Sequence, residues 1–169
     1  VDAADPAPRF LADAMLVRLA RWLRALGHDV LLAEPGEPDA AVARRAHAEG
    51  RWLLTCDRAL ARDAPPGARH LLLPAASPLA QLIRTRDALR LPDLALRFTR
   101  CLLCNAPLAP LDGPARAAAV AAGALPATVA HRSADAAPVW RCLRCDRLYW
   151  EGGHTRRMRA ALARALGAH

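Results

Sequence analysis

The chain contains no lysine: all 24 of its basic residues are arginine. Aromatic residues make up only 4% of its 169 residues. Large buried side chains are therefore scarce, and the core must be built mainly from Leu, Ala and Val. No apolar run approaches the roughly 18–20 residues that cross a bilayer; the longest candidates, such as Leu71 to Leu73, are strand-sized. The start, Val1 to Arg9, is polar and carries prolines, so it has none of the apolar core of a secretory signal. It also lacks an initiating Met, which leaves room for upstream residues. No internal repeat longer than a four-residue motif is present. These absences point to a soluble protein, expected in the cytoplasm, with one or two domains.

What is abundant is Ala, Leu, Pro and Arg. A GC-rich coding bias accounts for Arg in place of Lys. It does not account for the excess of base over acid, which gives a net charge of +8. A Zn²⁺ bound by four thiolates would lower this to about +6. A basic surface attracts polyanions, nucleic acid first.

Four of the five cysteines fall in two matched pairs, Cys101-x-x-Cys104 and Cys142-x-x-Cys145. Each pair can set two thiolates on one tight turn, and two such turns make a closed Cys₄ Zn²⁺ site. Two disulfides are the competing reading, but these usually accompany a signal peptide and a small secreted chain. The gap between the pairs is longer than the usual 15–20 residues of a zinc ribbon. An Ala-, Pro- and Gly-rich insertion fills it, and its Ala115 to Ala122 stretch reads as a helix with little to pack against.

Upstream of the cysteines the pattern alternates. Phe10 to Ala12 reads as a strand and Ala14 to Leu26 as a helix, with Leu16, Leu19, Ala20, Leu23 and Leu26 on one face. His28 to Leu32 reads as a strand, Ala40 to Glu49 as a helix with Asp39 as N-cap, and Trp52 to Thr55 as a strand. Arg58 to Asp63 is a short helix and His70 to Leu73 a strand. Ser77 caps a helix over Pro78 to Asp87. Alternation of this kind implies a parallel sheet with helices on its faces. Downstream, Val139 to Arg141 and Leu148 to Trp150 read as ribbon strands, and Thr155 as the cap of a last helix, Arg156 to Leu166.

Asp13 follows the first strand, Asp57 follows the third, and Asp39 opens the helix between them. Ligands of open parallel sheets gather at the carboxyl ends of strands. Clustered carboxylates are costly unless a cation neutralises them, and Mg²⁺ and Mn²⁺ prefer such oxygen ligands. The plainer readings are an N-cap for Asp39 and loop solubility for Asp13 and Asp57. Arg18, Arg21 and Arg24 recur at three-residue steps on the first helix, where they track a phosphate backbone or form a solvated face. Tyr149, Trp150, His154, Arg156 and Arg157 form a denser aromatic-plus-Arg group suited to unpaired bases; alternatively Trp150 is the ribbon's own small core.

Four stretches in order carry a resemblance: FLADAMLVRLARWLRALGHDV at 10–30, DAAVARRAHAEGRWLLTCDRAL at 39–60, RCLLCNAPL at 100–108 and WRCLRCDRLYWEGGHTRRM at 140–158. Over about residues 10 to 162 the chain resembles the RNase domain found at the C-terminus of the mutator-seven exonucleases. The resemblance implies an α/β, PIN-like parallel sheet with helices on both faces, followed by a small C-terminal zinc ribbon. Expected boundaries are 1–9 for a flexible segment, 10–98 for the nuclease domain and 99–169 for the ribbon. Some prokaryotic members carry an upstream ubiquitin-like domain, and Val1 to Arg9 then reads as the remnant of a linker.

The implied activity is metal-dependent ribonuclease, leaving a 5′-phosphate by analogy with the fold. Asp13, Asp39 and Asp57 match the acidic positions that hold Mg²⁺ or Mn²⁺, and Cys101, Cys104, Cys142 and Cys145 match the Zn²⁺ ligands. RNA is the implied partner, with Arg18, Arg21, Arg24, Arg58, Tyr149, Trp150, His154, Arg156 and Arg157 as its expected contacts. One position departs from the family pattern, where Arg precedes the last aspartate: here Cys56 stands between Thr55 and Asp57. Cys56 reads as a small buried filler rather than a nucleophile. The rival expectations are a non-catalytic RNA-binding module that keeps the fold, and a protein-interaction adaptor.

Overall fold

The computed structural model describes residues 7–132 and 138–167. The expected flexible segment at 1–9 lies outside them up to residue 6. The chain divides into two compact units, Val1–Arg97 and Phe98–His169.

The first unit is α/β. Strands β1 (Phe10–Ala12), β2 (Val30–Leu32), β3 (Trp52–Thr55) and β4 (His70–Leu72) form one sheet in the order β2-β1-β3-β4, all parallel. A 3₁₀ turn (Ala14–Leu16) leads into α1 (Val17–Ala25); α2 (Asp39–Ala48), α3 (Arg58–Arg62) and α4 (Pro78–Leu89) complete the unit. The path runs outward from β1 to β2, then back past β1 to β3 and β4. Right-handed crossovers then require α1 and α2 to lie on opposite faces. The packing agrees: α1 meets α4 and β2, and α2 meets β3 and α3.

Strand residues alternate between the faces. Leu11 and Leu53 join Val42, Ala43, Ala46 and Leu60 in a cluster under α2 and α3. Phe10, Ala12 and Leu54, buried as completely, point the other way. The strands read as continuous apolar runs because both faces are covered.

Helix ends follow local chemistry. Ser77 caps α4, accepting from the Ala80 N–H at 3.2 Å. Two caps differ from expectation. Pro38, not Asp39, sits at the N-cap of α2, and Asp39 is its first helical residue. Asp57 is instead the cap of α3, its Oδ1 accepting from Ala59 N at 2.6 Å. Pro38 takes the cap because its fixed extended geometry starts the turn without a side-chain oxygen.

The second unit holds a three-stranded antiparallel sheet, β5 (Leu108–Pro110), β6 (Val139–Cys142) and β7 (Leu148–Trp150), in that order. Helices α5 (Gly113–Ala121), α6 (Ala127–Ala130) and α7 (Gly153–Gly167) accompany it. The Ala-rich insertion is not a loosely attached loop. Asp112 caps α5, and Ala119 packs with Leu111, Leu125, Val129 and Val139 in a small core. Arg116 is buried there and donates to the carbonyls of Val129 and Arg132 at 2.6 and 2.9 Å. Thr155 does not cap α7. The helix starts at Gly153, and Thr155, buried within its first turn, donates to the Trp150 carbonyl at 3.3 Å. No helix among the described residues is long and apolar enough to cross a membrane.

Candidate functional site

Two constellations carry chemistry, one in each unit. The first lies at the carboxyl edge of the parallel sheet. The strand order reverses direction between β1 and β3, and open α/β sheets bind ligands at such a switch point. Asp13 and Asp57 leave these two neighbouring strands. Asp13 continues the ladder, its N–H donating to the Leu54 carbonyl at 2.9 Å.

Thr55, fully buried, ties the two together: its hydroxyl donates to Asp13 Oδ2 at 2.8 Å and accepts from the Asp57 N–H at 2.9 Å. Asp13 Oδ1 also accepts from the Met15 N–H at 3.3 Å. Asp57 spends Oδ1 on the α3 cap. Asp39 lies at the same edge because α2 begins beyond the carboxyl end of β2, and its exposed carboxylate has no hydrogen bond among the described residues. The three carboxylates are not gathered as the cysteines are: among the described residues, only the cysteine quartet forms a group of three or more such ligands. The structure thus joins Asp13 to Asp57 and leaves Asp39 on the same rim without a bond to either.

Thr55 has no role in the sequence reading beyond the end of a strand, yet its side chain links the two aspartates. Its signal was available in the Thr-x-Asp spacing at the end of β3.

Cys56 points toward α4. Its thiol donates to the Pro74 carbonyl at 3.6 Å and accepts from the Gln81 amide at 3.3 Å. Burial, then the negative charge of Asp13, pushes this thiol above its usual range. A protonated, hydrogen-bonded thiol is a poor nucleophile, and Cys56 is half-buried rather than the buried filler expected.

Around the edge, Arg18, Arg21 and Arg58 are exposed and make no side-chain hydrogen bond or ion pair among the described residues. Arg24 is a correction. It is 3% exposed, and its Nε and Nη2 donate to the Val30 carbonyl at 3.0 and 2.8 Å. The α1 periodicity turns position 24 inward beside Leu23, so the guanidinium secures the start of β2 rather than facing a ligand.

The second constellation is the cysteine quartet. All four Sγ atoms lie within 4.8 Å of one another. Tetrahedral Zn–S bonds of about 2.3 Å set sulfurs about 3.8 Å apart. The Cys101–Cys145, Cys104–Cys145 and Cys104–Cys142 separations are 3.7, 3.8 and 3.4 Å. These are far beyond a disulfide bond of about 2.05 Å, and all four cysteines are free.

The two turns repeat each other. Cys104 N–H reaches Cys101 Sγ, and Cys145 N–H reaches Cys142 Sγ, each at 3.4 Å. Asn105 and Asp146 follow with φ of 66° and 56°. Asn and Asp are the non-glycine residues that tolerate this left-handed geometry best. The quartet fits a metal ion such as Zn²⁺.

Its thiols are spread apart by their surroundings. Burial opposes ionisation of Cys101, but the Cys104 N–H and the Tyr149 hydroxyl outweigh it and bring the thiol down to about 6. Burial pushes Cys104 up to about 12. Tyr149 accepts from the Leu102 N–H at 3.1 Å and lies 3.1 Å from Cys101 Sγ. Its hydroxyl is therefore committed to the cysteine turns. Trp150 is half-buried against the Leu111–Ala119–Leu125 core, as the plainer of the two expectations had it. His154, Arg156 and Arg157 are exposed on the first turns of α7.

The first unit is thus a parallel α/β sheet with acidic residues at its switch point, and the second a four-cysteine ribbon. The sequence model of the Mut7-C RNAse domain matches residues 8–162, nearly the whole chain. The chain belongs to the Mut7-C RNAse domain family. Neither the curated proteins nor the solved structures contain a match to it.

Proposed function

We propose that the chain is a divalent-cation-dependent ribonuclease whose site is the carboxyl edge of the parallel sheet. The observation that carries this reading is the Thr55 bridge between Asp13 and the Asp57 backbone at the β1/β3 switch point. Asp13, Asp39 and Asp57 offer the hard oxygen donors that Mg²⁺ or Mn²⁺ takes. Such an ion, when bound, supplies charge neutralisation at the phosphodiester and lowers the pKa of attacking water.

The chain's own residues do the rest. Thr55 fixes the Asp13 carboxylate by donating to Oδ2 while the Met15 N–H holds Oδ1, and each oxygen keeps a lone pair for a cation. Asp57 keeps Oδ2 free while Oδ1 anchors α3. Asp39, unbonded, is able to turn toward a ligand at the rim. Arg18, Arg21 and Arg58 draw the RNA backbone toward the carboxylates. In the second unit, Zn²⁺ on the four cysteines is structural: with all four positions filled by protein, it has none open for a substrate.

The separation of Asp39 from the other two carboxylates favours one competing reading, an RNA-binding module without catalysis. Labelled RNA incubated with added Mn²⁺ or Mg²⁺, against no added cation, separates the two. Cation-dependent fragments ending in 5′-phosphate are expected. Binding with intact RNA under every cation would assign the chain to the non-catalytic reading.

A further inference from the structure

The basic excess of the chain is uneven. Phe98–His169 carries ten arginines against four acidic residues, while Val1–Arg97 carries fourteen against twelve. Within the second unit, Arg100, Arg116 and Arg159 are committed to Asn105 O, to two carbonyls and to Glu151. Arg141, Arg144 and Arg147 are not. All three are exposed, and none makes a side-chain hydrogen bond or ion pair among the described residues.

They occupy one short hairpin. Arg141 is in β6, Arg144 is in the Cys142–Cys145 turn, and Arg147 directly precedes β7. The N–H groups of Arg144 and Cys145 lock that turn by donating to Cys142 Sγ at 3.4 Å, so the display is held by the cysteine site. The two buried thiols of the quartet are engaged by these N–H groups, at Cys142, and by the Tyr149 hydroxyl, at Cys101. The guanidiniums face water. Leu143, between Arg141 and Arg144, is 66% exposed, and Leu103 in the companion turn is 42% exposed. Free guanidiniums beside exposed apolar side chains match a chain of phosphates with unstacked bases, and not a duplex that hides its base faces.

We propose that the β6–β7 cysteine hairpin is a binding surface for single-stranded RNA, with Arg141, Arg144 and Arg147 contacting phosphates and Leu143 contacting a base. This rests on the RNA reading above but not on catalysis. It displaces Tyr149 and Trp150, whose polar and apolar faces are already engaged, from the expected RNA contacts.

The test uses the full zinc-loaded chain and a fluorescently labelled single-stranded RNA oligonucleotide, in buffer without added Mg²⁺ or Mn²⁺, with anisotropy read across a KCl series. Joint replacement Arg141→Gln, Arg144→Gln and Arg147→Gln should weaken binding at least tenfold and reduce the log–log salt slope by about 2. Joint replacement of Arg44, Arg84 and Arg164 by Gln removes the same charge elsewhere and should cost far less. The three Lys replacements at the hairpin should restore most of the affinity, and zinc content should stay at one per chain in every variant. Leu143→Ala should weaken single-stranded RNA more than a duplex of the same sequence. Equal losses from the two triple variants, or equal binding of duplex and single strand, would overturn the assignment. Cleavage failing while this pattern holds would count against the ribonuclease reading alone.

Discussion

The Thr55 hydroxyl donates to Asp13 Oδ2 at 2.8 Å, and Thr55 is fully buried where it does so. Because Thr55 also accepts from the Asp57 N–H, one side chain sets both aspartates at the ends of adjacent parallel strands. Thr55→Val keeps the shape and removes both bonds. It should cost about 1–3 kcal/mol in urea unfolding and lower RNA cleavage at least tenfold. Thr55→Ser should recover most of both. Full activity in the Val variant would remove Thr55 from the site.

Arg24 and its helix neighbours should separate cleanly. Arg24→Ala removes two donors to the Val30 carbonyl and empties a buried position, and should destabilise the fold by about 2–4 kcal/mol. Arg18→Gln with Arg21→Gln should leave the melting temperature nearly unchanged and weaken RNA binding in a salt-dependent way. Thermal melts beside the same anisotropy assay check both.

Arg51 is a second buried guanidinium. It pairs with Asp29 at 3.0 Å and Glu49 at 2.6 Å, and reaches the Phe10 carbonyl at 3.3 Å. Arg51→Ala should destabilise the chain by about 2–3 kcal/mol, since it removes both ion pairs and the hydrogen bond to the Phe10 carbonyl. Urea denaturation measures this directly.

His28 gives the pH dependence. Burial, then the nearby positive charge of Arg97, holds its pKa below the ordinary 6.5, against a smaller opposing pull from Asp93. The imidazole also packs edge-on to Phe10 with ring centres 5.5 Å apart. The fold thus favours the neutral ring. Its contribution is complete above pH 6.5 and is lost as pH falls from there toward the depressed folded value, because the unfolded chain takes up the proton first. His28→Asn should flatten stability between pH 7 and 5. An unchanged slope would show that His28 is not the responsible group.

Removing the metal should affect the second unit first. Cys104→Ser, or dialysis against a strong chelator, should abolish zinc retention and the hydrogen-exchange protection of β6 and β7. The α/β unit should keep its own protection, since all four cysteines of the quartet lie in the other unit. Retained protection of β6 and β7 without metal would refute a structural role for zinc.

Much of this was legible because strong local signals coincide with tertiary roles. Phe10 to Ala12 and Trp52 to Thr55 are short apolar runs ending in Asp13 and Asp57, and a parallel sheet covered on both faces produces that pattern. The two cysteine turns announce themselves by spacing. What escaped depended on partners distant in sequence. Arg24 reads as a surface cation until the Val30 carbonyl is brought against it. The Ala-rich helix α5 reads as having nothing to pack because Leu125, Val129 and Val139 complete its core from further along the chain. Strand β5 is hidden by its terminal Pro110. Asp39 lost its expected cap role because Pro38 takes the N-cap of α2, and Asp57, read plainly as a loop residue, caps α3.

The most direct test is cleavage of 5′-labelled single-stranded RNA in Mn²⁺ by the intact chain beside Asp13→Asn and Asp57→Asn. The account predicts cation-dependent products from the parent chain, a loss of at least a hundredfold in rate in both variants, and RNA binding within about twofold of the parent, a loss consistent with removing groups that act in the transition state. Undiminished cleavage by both variants would contradict it.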